Sequence, residues 1–131
     1  YNLWYKDYPQ SNFHLSLGIN YPNKVDMART GKSRKTGGDI YIHGGSATIG
    51  CIPLSDDKIK EVYLLAVEAQ NAGQKEIPVH IYPFKMTAEN LRKFSISNPQ
   101  HKIFWKTLQS GYVHFTTYKT LPTMNGVIGS P

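Results

Sequence analysis

Apolar and polar positions alternate strictly from residue 13 to residue 21. Phe13, Leu15, Leu17, Ile19 and Tyr21 are separated by polar or small residues. Period two predicts a half-buried β-strand, and Tyr21-Pro22-Asn23 ends it. Residues 23–38 lose the period and hold Gly31, Gly37 and Gly38, so they read as a loop or a broken helical turn. Asp39-Ile40-Tyr41-Ile42-His43 then reads as a short strand, and a Gly/Ser/Thr turn over 44–50 delivers Cys51. Next the period changes. Ile59, Val62, Tyr63, Ala66 and Val67 follow the spacing of one helix face. Ser55 is the expected N-cap, Asp56 and Asp57 fill the first turn, and Gly73 stops the helix.

The second half is read the same way. Ile77, Val79 and Ile81 alternate and predict a strand ending near Pro83. Thr87 caps a short helix over 88–94. Asn98-Pro99 starts another, with proline at its first position, and Gly111 is expected to end it. Tyr112–Thr117 reads as a last strand, and the tail after Leu121 as irregular. The whole is α+β in class, with strands leading and helices inserted and added.

Composition narrows the options. With 131 residues, 40% of them apolar, the chain holds one core and reads as a single domain over 1–131. No apolar run reaches the length of a membrane span. The chain opens at Tyr1, with no methionine and no charged-then-apolar leader, and so reads as a processed or trimmed product. The net charge of +6 suits an anionic partner such as nucleic acid, acidic lipid or a carboxylate-rich polymer, or serves solubility alone. The densest basic group is Arg29, Lys32, Arg34 and Lys35.

One cysteine forms no internal disulfide and no multi-cysteine zinc site. Cys51 is therefore either a small buried apolar residue or a reactive thiol. Its setting favours the second. A histidine, His43, ends a strand; a small-residue loop follows; the cysteine then stands just ahead of a helix. Nucleophilic catalysis by a thiol needs a base within reach and a loop that admits a carbonyl substrate. Gly50 lets the backbone turn sharply before the sulfur, and the Gly50 and Cys51 N–H groups are the expected oxyanion donors.

Other motifs carry less. Arg29-Thr30-Gly31-Lys32-Ser33 has the end of a phosphate-binding loop, but Asp26 stands where that motif needs glycine. His14, His80, His101 and His114 show no zinc-ligand spacing, so no metal and no cofactor is expected. Phe13, Tyr21, Phe104 and Trp105 sit at core positions, which weakens a reading of the aromatics as nucleic-acid stacking platforms. Candidate substrate contacts are Thr48 in the loop and Arg29, whose guanidinium suits a carboxylate. Asp39, which precedes the strand that carries His43, is a third; it braces the loop or simply ends a turn.

Gly37-Gly38-Asp39-Ile40, His43-Gly44 and Ile49-Gly50-Cys51-Ile52 together resemble the L,D-transpeptidase (YkuD-domain) family, most closely its YafK-like branch. The likeness continues through His14-Leu15-Ser16-Leu17, Tyr21-Pro22-Asn23, Gly73-Gln74-Lys75-Glu76, Pro83-Phe84-Lys85-Met86-Thr87 and Phe104-Trp105, and so covers roughly residues 13–122. It departs at Pro53, where many members carry arginine, and at Ile49, where many carry histidine.

The resemblance implies a mainly β-sheet catalytic core with added helices, with N-terminal strands missing from this chain. It implies Cys51 as nucleophile, His43 as general base and then acid, and the Gly44 carbonyl as the group that orients His43. It also implies peptidoglycan peptide stems containing meso-diaminopimelate as substrate, a thioester intermediate, and a place in the periplasm or cell envelope. Transfer to an amine and hydrolysis both remain open. So does a non-catalytic cell-wall binding module of the same fold.

Overall fold

The structure is a computed structural model that describes residues 1–4, 14–31 and 35–122. Phe13, Lys32, Arg34 and the tail beyond residue 122 lie outside the described residues. The chain divides into two compact units, Tyr1–Val79 and His80–Ser130.

The first unit is built on a four-stranded sheet of order β1-β2-β3-β4. Its strands are Leu3–Trp4 (β1), Ser16–Ile19 (β2), Tyr41–His43 (β3) and Ile52–Pro53 (β4). β1 and β3 run antiparallel to β2, whereas β4 runs parallel to β3. The alternation around residues 13–21 predicts one buried face, yet all four residues of β2 are buried. The reason is position: β2 is an inner strand, flanked by β1 and β3.

Of the two readings of the segment after Asn23, the helical one holds at its start: α1 spans Lys24–Thr30 and breaks at Gly31. Asn23 and Asp26 cap each other reciprocally, and the Gly31 N–H closes the last turn on the Met27 carbonyl. This local capping signal outweighs the nearby glycines. The Tyr1 hydroxyl ties α1 down by donating to Asp26 Oδ1 at 2.9 Å. Partial burial, that bond and the carboxylate charge push the Tyr1 hydroxyl up to about 12.

The helix expected after Ser55 is α2 (Asp56–Asn71), with the Ser55 hydroxyl accepting from the Lys58 N–H. Ile59 and Ala66 form its buried stripe, and the helix packs on β2 and β3. The strand expected over Ile77, Val79 and Ile81 is not formed. Its first part lies along β1 instead, through a single bridge from Asn2 to Pro78 and bonds from Leu3 to Ile77 and from Val79 to Tyr1. Pro78 has no N–H to extend a ladder.

The second unit is helical. Thr87 caps α3 (Ala88–Ser97) through the Asn90 N–H, as its position predicts. Pro99–His101 makes a 3-10 turn that leads into α4 (Lys102–Tyr118). Here two expectations fail. Gly111 does not end the helix; it is the buried residue of α4. Tyr112–Thr117 is helical, not a strand, although it holds Val113, Thr116 and Thr117. A glycine inside a helix costs only about 1 kcal/mol against alanine, which tertiary packing overrides. The helix ends instead at Lys119, in the left-handed region at φ 57°.

Met86 and Leu91 are the buried apolar residues of this unit. Phe84 stacks on Phe94 at 4.5 Å and meets Trp105 edge-on at 5.1 Å. Trp105 therefore packs as predicted, but Phe104 is half-exposed.

The class is mixed α and β, compatible with a piece of an L,D-transpeptidase-like domain. The sheet is smaller than the resemblance implies. Its described strands are two to four residues long, and helices carry more of the chain.

Candidate active site

β3 positions His43. Across one edge of β3, His43 pairs with Ser16 of β2; across the other it pairs with Pro53 of β4. The backbone is pinned on both sides. The Gly44 N–H donates to the Leu15 carbonyl at 3.1 Å, and the Leu54 N–H donates to the His43 carbonyl at 2.7 Å. Pro53 sits on the edge strand, where its missing N–H breaks no ladder. His43 is 2% exposed.

The imidazole has a defined tautomer. His43 Nδ1 lies 2.6 Å from the Gly44 carbonyl oxygen. A carbonyl only accepts, so Nδ1 carries the proton. In the neutral ring, Nε2 is then the basic nitrogen. The orienting contact that the resemblance implies for Gly44 is formed.

The loop from Gly44 to Cys51 turns the chain back so that β4 lies parallel to β3. Gly45 sits at φ 71° and Gly50 at φ 151°, backbone conformations that side-chain-bearing residues rarely adopt. Three hydrogen bonds hold the loop. The Gly45 N–H donates to Asp56 Oδ1 at 2.7 Å, the Gly50 N–H to Thr48 Oγ1 at 3.1 Å, and the Thr48 hydroxyl to the Cys51 carbonyl at 3.0 Å.

Cys51 follows directly. It is a free thiol of intermediate burial. Ile52 pairs with Ile42 and Pro53 with His43. His43 closes β3 and Cys51 immediately precedes β4, the strand paired with it, so the loop between them starts and ends beside the same strand pair.

The other candidates separate. Thr48 braces the loop from within. Asp39 is exposed, and its Oδ2 accepts from the Tyr41 hydroxyl at 3.4 Å at the start of β3. Arg29 is exposed in the last turn of α1. No described hydrogen bond joins Arg29 or Asp39 to the loop. Gly50 was expected to offer its N–H to an oxyanion, and here that N–H is engaged by Thr48. Among the described residues, no group of three or more His, Cys, Asp or Glu side chains comes together as a metal site.

Two features escaped the sequence. Asp56 reads there only as a first-turn acid, whereas its carboxylate reaches back to the loop. A shallow pocket of about 430 Å³ also opens beside the loop, lined by Gly45, Ser46, Pro53, Leu54, Ser55 and Asp56.

Over 121 residues, 92% of its length, the chain is 33% identical to the protein called "Putative L,D-transpeptidase YafK" of Escherichia coli strain K12. Identity and coverage are the same for the protein of that name from Escherichia coli O157:H7. The chain belongs to the YafK-like L,D-transpeptidase family. It spans about half the length of these relatives, 47% of each. No family model matches it. As an L,D-transpeptidase-family chain it carries both His43-Gly44 and Gly50-Cys51, the residues on which the resemblance rests, within the matched span.

Proposed function

We propose that this chain carries the acyl-transfer centre of a peptidoglycan-modifying cysteine enzyme acting on stems that contain meso-diaminopimelate. One observation carries the reading: a buried His43, held as the Nδ1–H tautomer by Gly44, begins the loop that ends in Cys51, just ahead of the strand paired with β3. Family membership supports the peptidoglycan substrate.

The chemistry follows from those groups. Nε2 of His43 takes the Cys51 thiol proton as the sulfur attacks the carbonyl carbon at the L-centre of diaminopimelate. The new C–S bond leaves an oxyanion, met by backbone N–H groups. For Gly50 to serve there, its N–H leaves Thr48 as the negative charge forms. The intermediate collapses, the C–N bond breaks, and His43 returns the proton to the departing amine. A thioester on Cys51 remains. Water then gives hydrolysis, and a second amine gives a cross-link. The substrate places the reaction in the periplasm or cell envelope. No described helix is long and apolar enough to cross a membrane.

Mass spectrometry of muropeptides from purified sacculi tests this. Wild-type protein is expected to produce tripeptide stems or free side-chain amines if it hydrolyses, and diaminopimelate-to-diaminopimelate links if it transfers. Cys51→Ala is expected to abolish either product with its fold intact by circular dichroism. Sacculi left unchanged by wild-type protein would overturn the proposal.

A further inference from the structure

The peptide bond between Gly44 and Gly45 takes part in two hydrogen bonds at once. Its carbonyl accepts from His43 Nδ1 at 2.6 Å, and its N–H donates to Asp56 Oδ1 at 2.7 Å. The bond is trans, since the cis peptide in the described chain is Tyr21-Pro22. The C=O and N–H of a trans peptide point in opposite directions, so Asp56 and His43 grip the same plane from its two sides.

We propose that Asp56 is a positioning residue for His43, acting through the Gly44–Gly45 peptide as a carboxylate–peptide–imidazole relay. The proposal rests on the reading of His43 as the base. A carboxylate that accepts from a backbone N–H makes a charge-assisted bond, shorter and stronger than a neutral one. It polarises the peptide and makes the carbonyl on the far side a better acceptor. That favours the proton on Nδ1 and keeps Nε2 as the basic nitrogen. It also holds Gly45 at φ 71°, and a different backbone angle there would swing the Gly44 carbonyl away from the ring.

The anchor is firm. Asp56 is the first residue of α2, and one turn on, Ile59 is fully buried. The ring orientation is therefore set by a sheet-packed helix and not by the loop alone. Asp57 gives the contrast. It is likewise exposed, lies in the same first turn and meets the same helix dipole, but its carboxylate pairs with Lys60 at 3.6 Å and not with the loop.

Long-range proton–nitrogen spectra of the imidazole rings in 15N-labelled protein test the relay without any substrate. Wild-type and Asp57→Asn proteins are expected to show His43 as the single Nδ1–H tautomer. Asp56→Ala is expected to show a mixture with the Nε2–H form. On sacculi, its kcat is expected to fall on the order of tenfold with little change in KM, part of the ~100-fold or more that a positioned base supplies. Asp56→Asn keeps an acceptor without the charge. It should retain most of the Nδ1–H form, with the Nδ1 proton resonance moved upfield.

A folded Asp56→Ala protein with the wild-type tautomer overturns the proposal. If that variant does not fold, an unmoved Nδ1 proton resonance in Asp56→Asn overturns it instead. Wild-type protein inert on sacculi would sink the proposed reaction, while the tautomer comparison would still decide the role of Asp56.

Discussion

Thr48 shows how one hydroxyl shapes the approach to the thiol. It accepts from the Gly50 N–H and donates to the Cys51 carbonyl, on either side of the bend that presents the sulfur. Both bonds are exposed, so water replaces them at low cost; together they contribute about 1–2 kcal/mol at most. Their larger effect is on position, because catalysis depends on how often the reacting atoms are aligned. Thr48→Val is expected to lower turnover more than it lowers the melting temperature, while Thr48→Ser, which keeps the hydroxyl, preserves both. Rates and thermal melts measured side by side check this, and an unchanged rate in Thr48→Val would remove the hydroxyl from the mechanism. Cys51 and His43 were candidates from residue type and spacing taken together with the family likeness. Thr48's role was not legible, since both of its partners are backbone atoms of its own loop, and a sequence pattern carries no hydrogen bonds.

Among the elements, α2 does most to place the site. Its apolar stripe puts Ile59 and Ala66 against β2 and β3, while Asp56 at its start reaches the loop and Ser55 caps it. Ile59→Ala removes a fully buried side chain and is expected to destabilise the protein by about 2–5 kcal/mol. Because the same helix presents Asp56, the variant should also blur the His43 tautomer at temperatures where the protein is still folded. Chemical denaturation and ring-nitrogen spectra measure the two effects. A loss of stability with an unperturbed ring would mean that the loop, not the helix, holds His43. The helix was readable because its period and cap agree. α1 was readable only in part, since three nearby glycines masked the Asn23–Asp26 capping pair. α4 was misread at Gly111, because glycine marks a stop only where nothing packs against it.

At the scale of the whole molecule, the charge of +6 suits an anionic polymer such as the proposed substrate, or serves solubility. Binding of the catalytically silent Cys51→Ala protein to sacculi is expected to weaken as ionic strength passes about 0.15 M, where exposed charges more than about 8 Å apart are screened. Sedimentation of protein with sacculi across a salt series checks it. Binding indifferent to salt would assign the charge to solubility alone. The chain's two compact units differ in kind, one built on a sheet and one of helices. The sequence reading was a single domain with strands leading and helices added, and Val113, Thr116 and Thr117 suggested a strand where the second unit has a helix. Those residues tolerate a helix when its neighbours supply the packing, and propensity is the weaker term.

The order of chemical groups along the chain was set by sequence alone: a histidine closing a strand, a glycine-rich loop, a lone cysteine, then a capped helix. That order, with the family likeness, was enough to single out His43 and Cys51. Tertiary structure decided which face each strand residue takes, which nitrogen of His43 carries its proton, and that the Gly50 N–H is held by Thr48. It also brought Asp56 back onto the loop. The physical reason is the same in each case. Hydrophobic period and capping are local and are written in neighbouring residues, whereas register and hydrogen-bond partners exist only once distant backbone segments lie side by side.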